Sequence, residues 1–226
     1  MNLSVARTPP QVLAVLDDAA AGVTLLELSS ALARAMQREW SVVYVESTRS
    51  LLAATLPFAQ VLANAGSGWL PLRAEDVERG YRAQAARLRE MAARLALRNA
   101  VSWSMRVMRG SLSQTAFELC NESDLLLLAG SAPVFQPGVV RGGRRRLLVK
   151  VVDDGSEAAQ RALPIAAQLV QAVGGALEVV RIPATDPATS VDSMARLLQA
   201  DLLVLPRRPG DPVALALLRG PVLLVS

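Results

Sequence analysis

The chain contains no histidine, a single cysteine, Cys120, and a single lysine, Lys150. The lack of histidine excludes a Ser-His-Asp triad, a Cys-His pair and a histidine-ligated metal site. One cysteine excludes a disulfide within the chain, which fits a reducing compartment. Its position in the helical stretch TAFELC favours a small core residue over a nucleophile. We therefore expect no catalytic residue and no metal ligand, in a cytoplasmic protein.

Aromatic residues are also scarce, at 4% of the chain, whereas hydrophobic residues make up 52%. The core must therefore be aliphatic, and short Leu/Val runs are typical of parallel strands buried on both faces. The longest uncharged span, residues 51–72, is long enough to cross a bilayer. Its proline, glycine and asparagine residues argue against a spanning helix, and the first ten residues lack a secretory signal. We expect no membrane association.

The charge is nearly balanced, with 24 basic and 20 acidic residues. The strongest cluster is RGGRRR at residues 141–146, which either grips phosphates or forms a solvated linker. Its glycines and the lack of interleaved aromatics favour the linker, so we expect no specific nucleic-acid partner. Arg207 and Arg208 follow a predicted strand, where either an anion or solvent would meet them.

Two segments of the chain resemble each other. VLAVLDD at residues 12–18 and VVDD at residues 151–154 both end an apolar run on adjacent acids, and an Ala/Leu-rich helix and a second strand follow each. A later pair, ESDLLLLAGS at 122–131 and QADLLVLPRR at 199–208, keeps the same order. Ordered repeats of this kind predict a duplication in which the second copy has lost about sixty residues.

The elements between these segments follow from periodicity. Residues 74–98 have apolar side chains at helical spacing, with acids first and arginines last. Residues 101–108 alternate, which predicts a strand at a sheet edge. Ser111 and Gln114 form a capping-box pattern, and a fourth strand follows at residues 125–129. At the end of the chain, Asp211 precedes a short predicted helix and the strand VLLV. Strands alternating with helices predict an α/β fold.

The chain resembles the universal stress protein family. VKVVDDGSEAAQRALPIAAQLVQAVGGALEVV is similar to the opening of that family's domain, GSLSQTAFELCNESDLLLLAGS to its later helix and strand, and PVALALLRGPVLLVS to its end. The resemblance implies two tandem doubly wound (Rossmann-like) parallel-sheet domains, the second shortened. We predict a first domain at residues 1–140, a linker at 141–146 and a second domain at 147–226.

The resemblance also implies a site. In ATP-binding members the Asp that ends the first strand lies by the adenosine, and a loop Gly-x-x-Gly, nine residues, then Gly-Ser or Gly-Thr wraps the phosphates. Asp17 and Asp153 match that acid, and Gly130 and Ser131 match the turn after the fourth strand. The rest of the phosphate loop has no match, because only PRRPG separates DLLVL from Asp211 and Pro206 stands at a glycine position.

The acids have a second interpretation. Asp154 with Glu157 forms a D-x-x-E capping pattern, so Asp154 is better explained as a helix cap, whereas Asp153 stays open between capping and nucleotide contact. In the first copy Thr24 and Glu27 offer a competing helix start, which would leave Asp17 in a longer turn.

We therefore predict a cytoplasmic binding or regulatory protein in stress response, without a cofactor and without ordinary ATP binding in the second domain. The alternative is an adenine-nucleotide-binding protein that holds ATP in the first domain near Asp17, Gly130 and Ser131. A third hypothesis, an enzyme that uses carboxylates for acid–base chemistry, would depend on Asp17, and no acid pair supports it. The expected partners are an adenine nucleotide and a paired domain, either internally or in a homodimer through VLLVS. The uncharged insert at residues 51–69 is either a lid, an interaction surface or a cover for the second domain.

Overall fold

A computed structural model of the chain describes residues 11–62, 68–120, 125–129, 146–182, 200–207 and 220–225. These residues form ten strands: β1 (Gln11–Leu16), β2 (Glu39–Ser47), β3 (Gln60–Leu62), β4 (Trp69–Pro71), β5 (Trp103–Gly110), β6 (Leu125–Leu128), β7 (Leu148–Asp153), β8 (Ala176–Arg181), β9 (Leu202–Pro206) and β10 (Val222–Val225). They also form five helices: α1 (Ala19–Met36), α2 (Thr48–Ala54), α3 (Ala74–Asn99), α4 (Leu112–Leu119) and α5 (Glu157–Val173).

Eight of these strands form one sheet in the order β5-β2-β1-β6-β10-β9-β7-β8. Neighbouring strands run parallel, except that β10 is antiparallel to β6. Strand β1 lies between β2 and β6, so the chain crosses first to one side of β1 and later to the other. Strand β7 lies between β8 and β9 in the same way. Each reversal of strand order is a topological switch of a doubly wound sheet. The α/β prediction is confirmed.

The apolar strands divide the core into two layers, one on each face of the sheet. In β1, Val12, Ala14 and Leu16 face the layer under α1, α3 and α5, whereas Leu13 and Val15 face the layer under α4. Each central strand is therefore covered on both faces, which is why these strands read as continuous apolar runs rather than alternating ones.

The antiparallel pair β6/β10 reverses the direction of the sheet. Because β10 runs parallel to β9, the strands β7, β8 and β9 point opposite to β1, β2, β5 and β6. The carboxyl ends of the two groups of strands therefore lie at opposite edges, which we name the first edge (β1, β2, β5, β6) and the second edge (β7, β8, β9). Both sides of β10 are hydrogen-bonded within the chain, so VLLV offers no free edge to another molecule.

Several local predictions can be compared with this structure. The long helix α3, the edge position of β5, strand β6 and the Ser111 cap, whose hydroxyl accepts from the Gln114 amide, are confirmed. The helix start at Thr24 is wrong, because α1 begins at Ala19. The helix predicted after Asp211 lies outside the described residues, as does most of the linker at 141–146. The domain boundaries therefore stay predictions.

Candidate functional site

Asp17 lies at the first edge, directly after β1 and next to the switch between β1 and β6. The Ala129 amide donates to the Val15 carbonyl at 3.0 Å, which brings the end of β6 beside it. The Gly22 amide donates to the Asp18 carbonyl, so α1 starts without the longer turn that the competing Thr24 start implied. A Cβ on Gly22 would overlap Cδ1 of the buried Leu16 side chain, which would have to shift to make room for it.

The carboxyl of Asp17 is partly buried at this edge. Burial raises its pKa above the ordinary value, the hydrogen bond from its own backbone amide lowers it, and the neighbouring Asp18 carboxylate raises it again. Burial is the largest of the three effects, so the net shift is upward. A carboxylate in such surroundings is poorly hydrated, and a ligand hydroxyl or amine that reached it would form a strong hydrogen bond.

A pair of tyrosines lies beside Asp17 and was not found from the sequence. Tyr44, fully buried in β2, donates its hydroxyl to Oε1 of Gln84 at 2.7 Å. Tyr81 of α3 meets the Tyr44 ring edge-on at 6.3 Å and donates to the Ser47 carbonyl at 3.2 Å. Burial first, then Tyr81 and the acids Glu46, Asp17 and Asp18, raise the pKa of Tyr44 above its ordinary value. The phenol therefore stays protonated and holds α3 on the end of β2.

A second unpredicted group at the first edge is an arginine between two carboxylates. Nε of Arg109 lies 3.0 Å from Oε2 of Glu46, its partner in the β2/β5 register, and Nη2 lies 3.9 Å from Oε1 of Glu78. The guanidinium thus ties β5, β2 and α3 together. Glu46 and Arg109 are 63 positions apart in the chain, so no local pattern could reveal the pair.

Asp153 lies at the second edge, at the end of β7. Its Oδ1 accepts from the Gly155 amide at 3.1 Å, and its Oδ2 lies 3.7 Å from Nε of Arg181 on β8. Gly155 has φ +77°, a left-handed conformation that favours glycine. In this turn its amide donates to the Asp153 carboxylate. The carboxylate is therefore engaged by the chain's own turn and by its neighbour in the β7/β8 register.

The capping role predicted for Asp154 is wrong. The N-cap of α5 is Ser156, whose Oγ accepts from the Ala159 amide at 3.1 Å. Asp154 instead accepts from the Ser156 amide at 3.1 Å through Oδ1, an Asx turn that leads into the cap. The left-handed Gly155 delays the helix by two residues beyond the position that the D-x-x-E pattern indicated.

Arg207 also lies at the second edge, where either an anion or solvent was expected. Its Nη1 donates to the carbonyl of Cys120 at 2.6 Å, and its backbone amide donates to the Val225 carbonyl at 2.7 Å. Cys120 is buried, and burial raises the pKa of its thiol more than nearby Arg207 lowers it. The core role predicted for Cys120 is confirmed, and Arg207 links the end of β9 to the end of α4.

The structure separates the two predicted aspartates. Asp17 and Asp153 lie at opposite edges of the sheet, and Gly130 and Ser131 lie outside the described residues, as does Arg208. Within the described ranges, no group of three or more acidic or cysteine side chains could hold a metal ion. Two surface clefts, of ≈ 350 and ≈ 390 Å³, lie between α1 and α3 and between α1 and α5, and neither is lined by Asp17 or Asp153.

Comparison with solved structures finds similarity at the level of the overall structure. No protein-family model matches the chain, and no curated protein matches it. A crystal structure of a universal stress protein from Archaeoglobus fulgidus DSM 4304 is similar, at 12% identity and a TM-score of 0.45, over 94% of this chain and 96% of that one. At this identity and TM-score, no argument about function rests on the match. No helix in the described part of the chain is long and apolar enough to cross a membrane.

Proposed function

We propose that this chain is a non-catalytic binding and regulatory protein of the universal stress protein type, acting in the cytoplasm, and that its second edge does not hold ATP. The resemblance of its repeated segments to that family supports the class of protein. The lack of histidine and of a persuasive acid pair supports a non-catalytic role. A regulatory protein of this kind would act through what it binds at the first edge.

One observation carries the statement about the second edge. A phosphate cradle needs a run of free backbone amides at the carboxyl end of a strand. At the end of β9, Pro206 has no amide hydrogen, and the next amide, that of Arg207, donates to Val225. The Asp153 carboxylate, which matches the family's adenosine contact, is engaged by Gly155 and Arg181. Among the described residues, the amide and the carboxylate that match the family's nucleotide contacts at this edge already have partners within the chain.

The second candidate is adenine-nucleotide binding at the first edge. Asp17 lies at the β1/β6 switch, where ligands of doubly wound sheets bind, and its partly buried carboxyl has a raised pKa. An adenosine hydroxyl is a suitable donor for such a carboxylate. Gly130 and Ser131, which follow β6 in the sequence, would add the turn beside it.

Thermal unfolding with and without millimolar ATP or ADP tests both candidates, with Asp17→Ala and Asp153→Ala as a matched pair. Ligand at 100 times its dissociation constant adds about 2.7 kcal/mol, and about 2–4 °C accompanies each kcal/mol for a chain of this size. Any rise in the midpoint should persist in Asp153→Ala and disappear in Asp17→Ala.

The outcomes separate the candidates. No rise in the wild type rejects the nucleotide-binding candidate and leaves a scaffold for other partners. A rise that Asp153→Ala abolishes and Asp17→Ala spares would contradict the proposal for the second edge. Steady hydrolysis of ATP by the purified wild type, absent from Asp17→Ala, would contradict the non-catalytic role.

A further inference from the structure

Strand β8 ends the eight-stranded sheet on one side, and no strand in the described part of the chain pairs with its outer edge. Its apolar residues Leu177 and Val179 are 36% and 45% exposed. The corresponding strand of the first segment, β2, also follows its helix, but β5 pairs with its outer edge and its middle residues are buried. β8 therefore keeps the apolar residues of an inner strand at a position where it has one described neighbour.

The hydrogen bonds to β7 show which backbone groups of β8 point outward. The amides of Ala176 and Ile182 donate to backbone carbonyls at the two ends of β7, at 2.7 and 2.9 Å. Because backbone groups alternate in direction along a strand, the amides and carbonyls of Leu177, Val179 and Arg181 point away from β7. In the described part of the chain nothing pairs with this row, which is a template for another strand.

The charges of β8 suit pairing with an identical strand. Its two charged side chains, Glu178 and Arg181, have opposite signs, and each has an ion-pair partner on β7. The strand contains no proline or lysine, residues that commonly protect an exposed edge. At the other end of the sheet, β5 carries Arg106 and Arg109 and no acidic residue, so two copies of β5 side by side would bring four arginines together. Of the two edges, β8 is therefore the one that can pair with itself.

We propose that this chain forms a homodimer in which β8 pairs antiparallel with β8 of a second copy. Val179 is the central outward residue, so a two-fold axis beside it places Val179 opposite the second copy's Val179. Leu177 then lies opposite Arg181 of the second copy, and Glu178 lies opposite Val180. No charge directly faces a like charge in this register.

This register uses the outward row completely. Each outward residue meets an outward residue of the second copy, in a pair that exchanges both backbone hydrogen bonds. The two Val179 side chains pack against each other, and the aliphatic stem of Arg181 packs on Leu177. The pairing closes as a dimer, whereas β8 against β5 of a second copy would repeat without closing and give a filament. It also differs from pairing through β10, whose two sides are both used within the chain.

The first test is the dimer dissociation constant of the full chain, measured by sedimentation velocity over a dilution series. Val179→Lys places two like charges against each other at the axis, and Val179→Pro removes the amide that each copy would donate there. Proline leaves the bonds to β7 intact, because the amide it removes points outward. Each variant should weaken the dimer at least about 30-fold, as loss of an interface hot spot does.

The matched control is Val107 in β5, which is 41% exposed. The Trp40 amide donates to the Ser102 carbonyl at 3.0 Å, so the even-numbered positions of β5 point towards β2 and the Val107 amide points outward. Val107→Lys and Val107→Pro therefore make the same changes at the other edge of the sheet and should leave the dissociation constant unchanged. Circular dichroism should show that all four variants fold.

A cysteine at position 179 tests the register. A hydrogen-bonded antiparallel pair places its Cα atoms about 5.5 Å apart, within the range of about 4.4–6.8 Å that a disulfide spans. Val179→Cys should therefore form a disulfide-linked dimer under mild oxidation. Val107→Cys and the wild type, whose Cys120 is buried, should not.

The proposal is overturned if the wild type stays monomeric up to about 100 µM, a concentration at which weak specific dimers are populated. It is also overturned if the dimer survives both Val179 substitutions, or if the Val107 substitutions weaken it equally. A monomer whose Val179 amide resists hydrogen exchange would show that the chain itself occupies this edge, which contradicts the proposal. A dimer that Val179→Cys does not crosslink would overturn the register.

Discussion

The assignment of two opposite edges depends on β10, so the first prediction concerns Leu223→Ala. Leu223 is fully buried in β10, opposite Leu127 of β6 and next to Val204 of β9. Removing a buried leucine side chain to Cβ costs about 2–5 kcal/mol, depending on how far the site collapses. In a central strand with neighbours on both sides, little collapse is available, and we expect about 3 kcal/mol. At about 2–4 °C per kcal/mol, the midpoint should fall by roughly 6–12 °C.

The assay is urea unfolding followed by circular dichroism, with Leu97→Ala as the control. Leu97 is 86% exposed, so its truncation should change the free energy of unfolding by less than about 0.5 kcal/mol. A loss below about 1 kcal/mol in Leu223→Ala would mean that β10 is not in the middle of the sheet. Two separate transitions, of which only one shifts, would mean that the halves fold independently and that β10 does not join them.

Two further predictions concern the acids at the edges. Because burial raises the pKa of folded Asp17 above 3.8, its contribution to stability is fully present below that value and is lost as the pH rises through the raised folded pKa. Asn at this position does not titrate, so the free energy of unfolding of Asp17→Asn, measured in urea, should increase relative to that of the wild type between pH 3.5 and pH 7. A difference between the two that does not change with pH would contradict the raised pKa of Asp17. Ser156→Ala should lose about 1 kcal/mol of stability through its cap, and Asp154→Ala clearly less. The reverse order would restore Asp154 as the cap.

Much of the fold follows from the sequence because its signals are local. The Ser111 cap needs only residues three apart, and α3 and β5 are read from periodicities of one helical face and one sheet face. The start of α5 shows where local reading stops. Asp154 and Ser156 are both good caps two residues apart, and the left-handed backbone at Gly155 decides between them. The residue types alone do not predict that Gly155 adopts this conformation.

The side chains of the candidate sites are held by contacts between distant parts of the chain, which the sequence alone does not reveal. Tyr44 sits in the apolar run SVVYV and reads as a core residue, and its partner Gln84 is 40 positions away on another element. Likewise, nothing near Arg207 in the sequence points to Cys120, which is 87 positions away. The position of β10 in the sheet could not be predicted from the sequence either, because an apolar strand of four residues can pair with any free edge of matching length.

The two edges are separated by the sheet itself. Four strand spacings lie between β1 and β7, or about 19 Å at about 4.8 Å each, and the two aspartates point out of opposite ends of their strands. A ligand at Asp17 therefore cannot touch Asp153, and an effect on the second edge would have to pass through β6, β10 and β9.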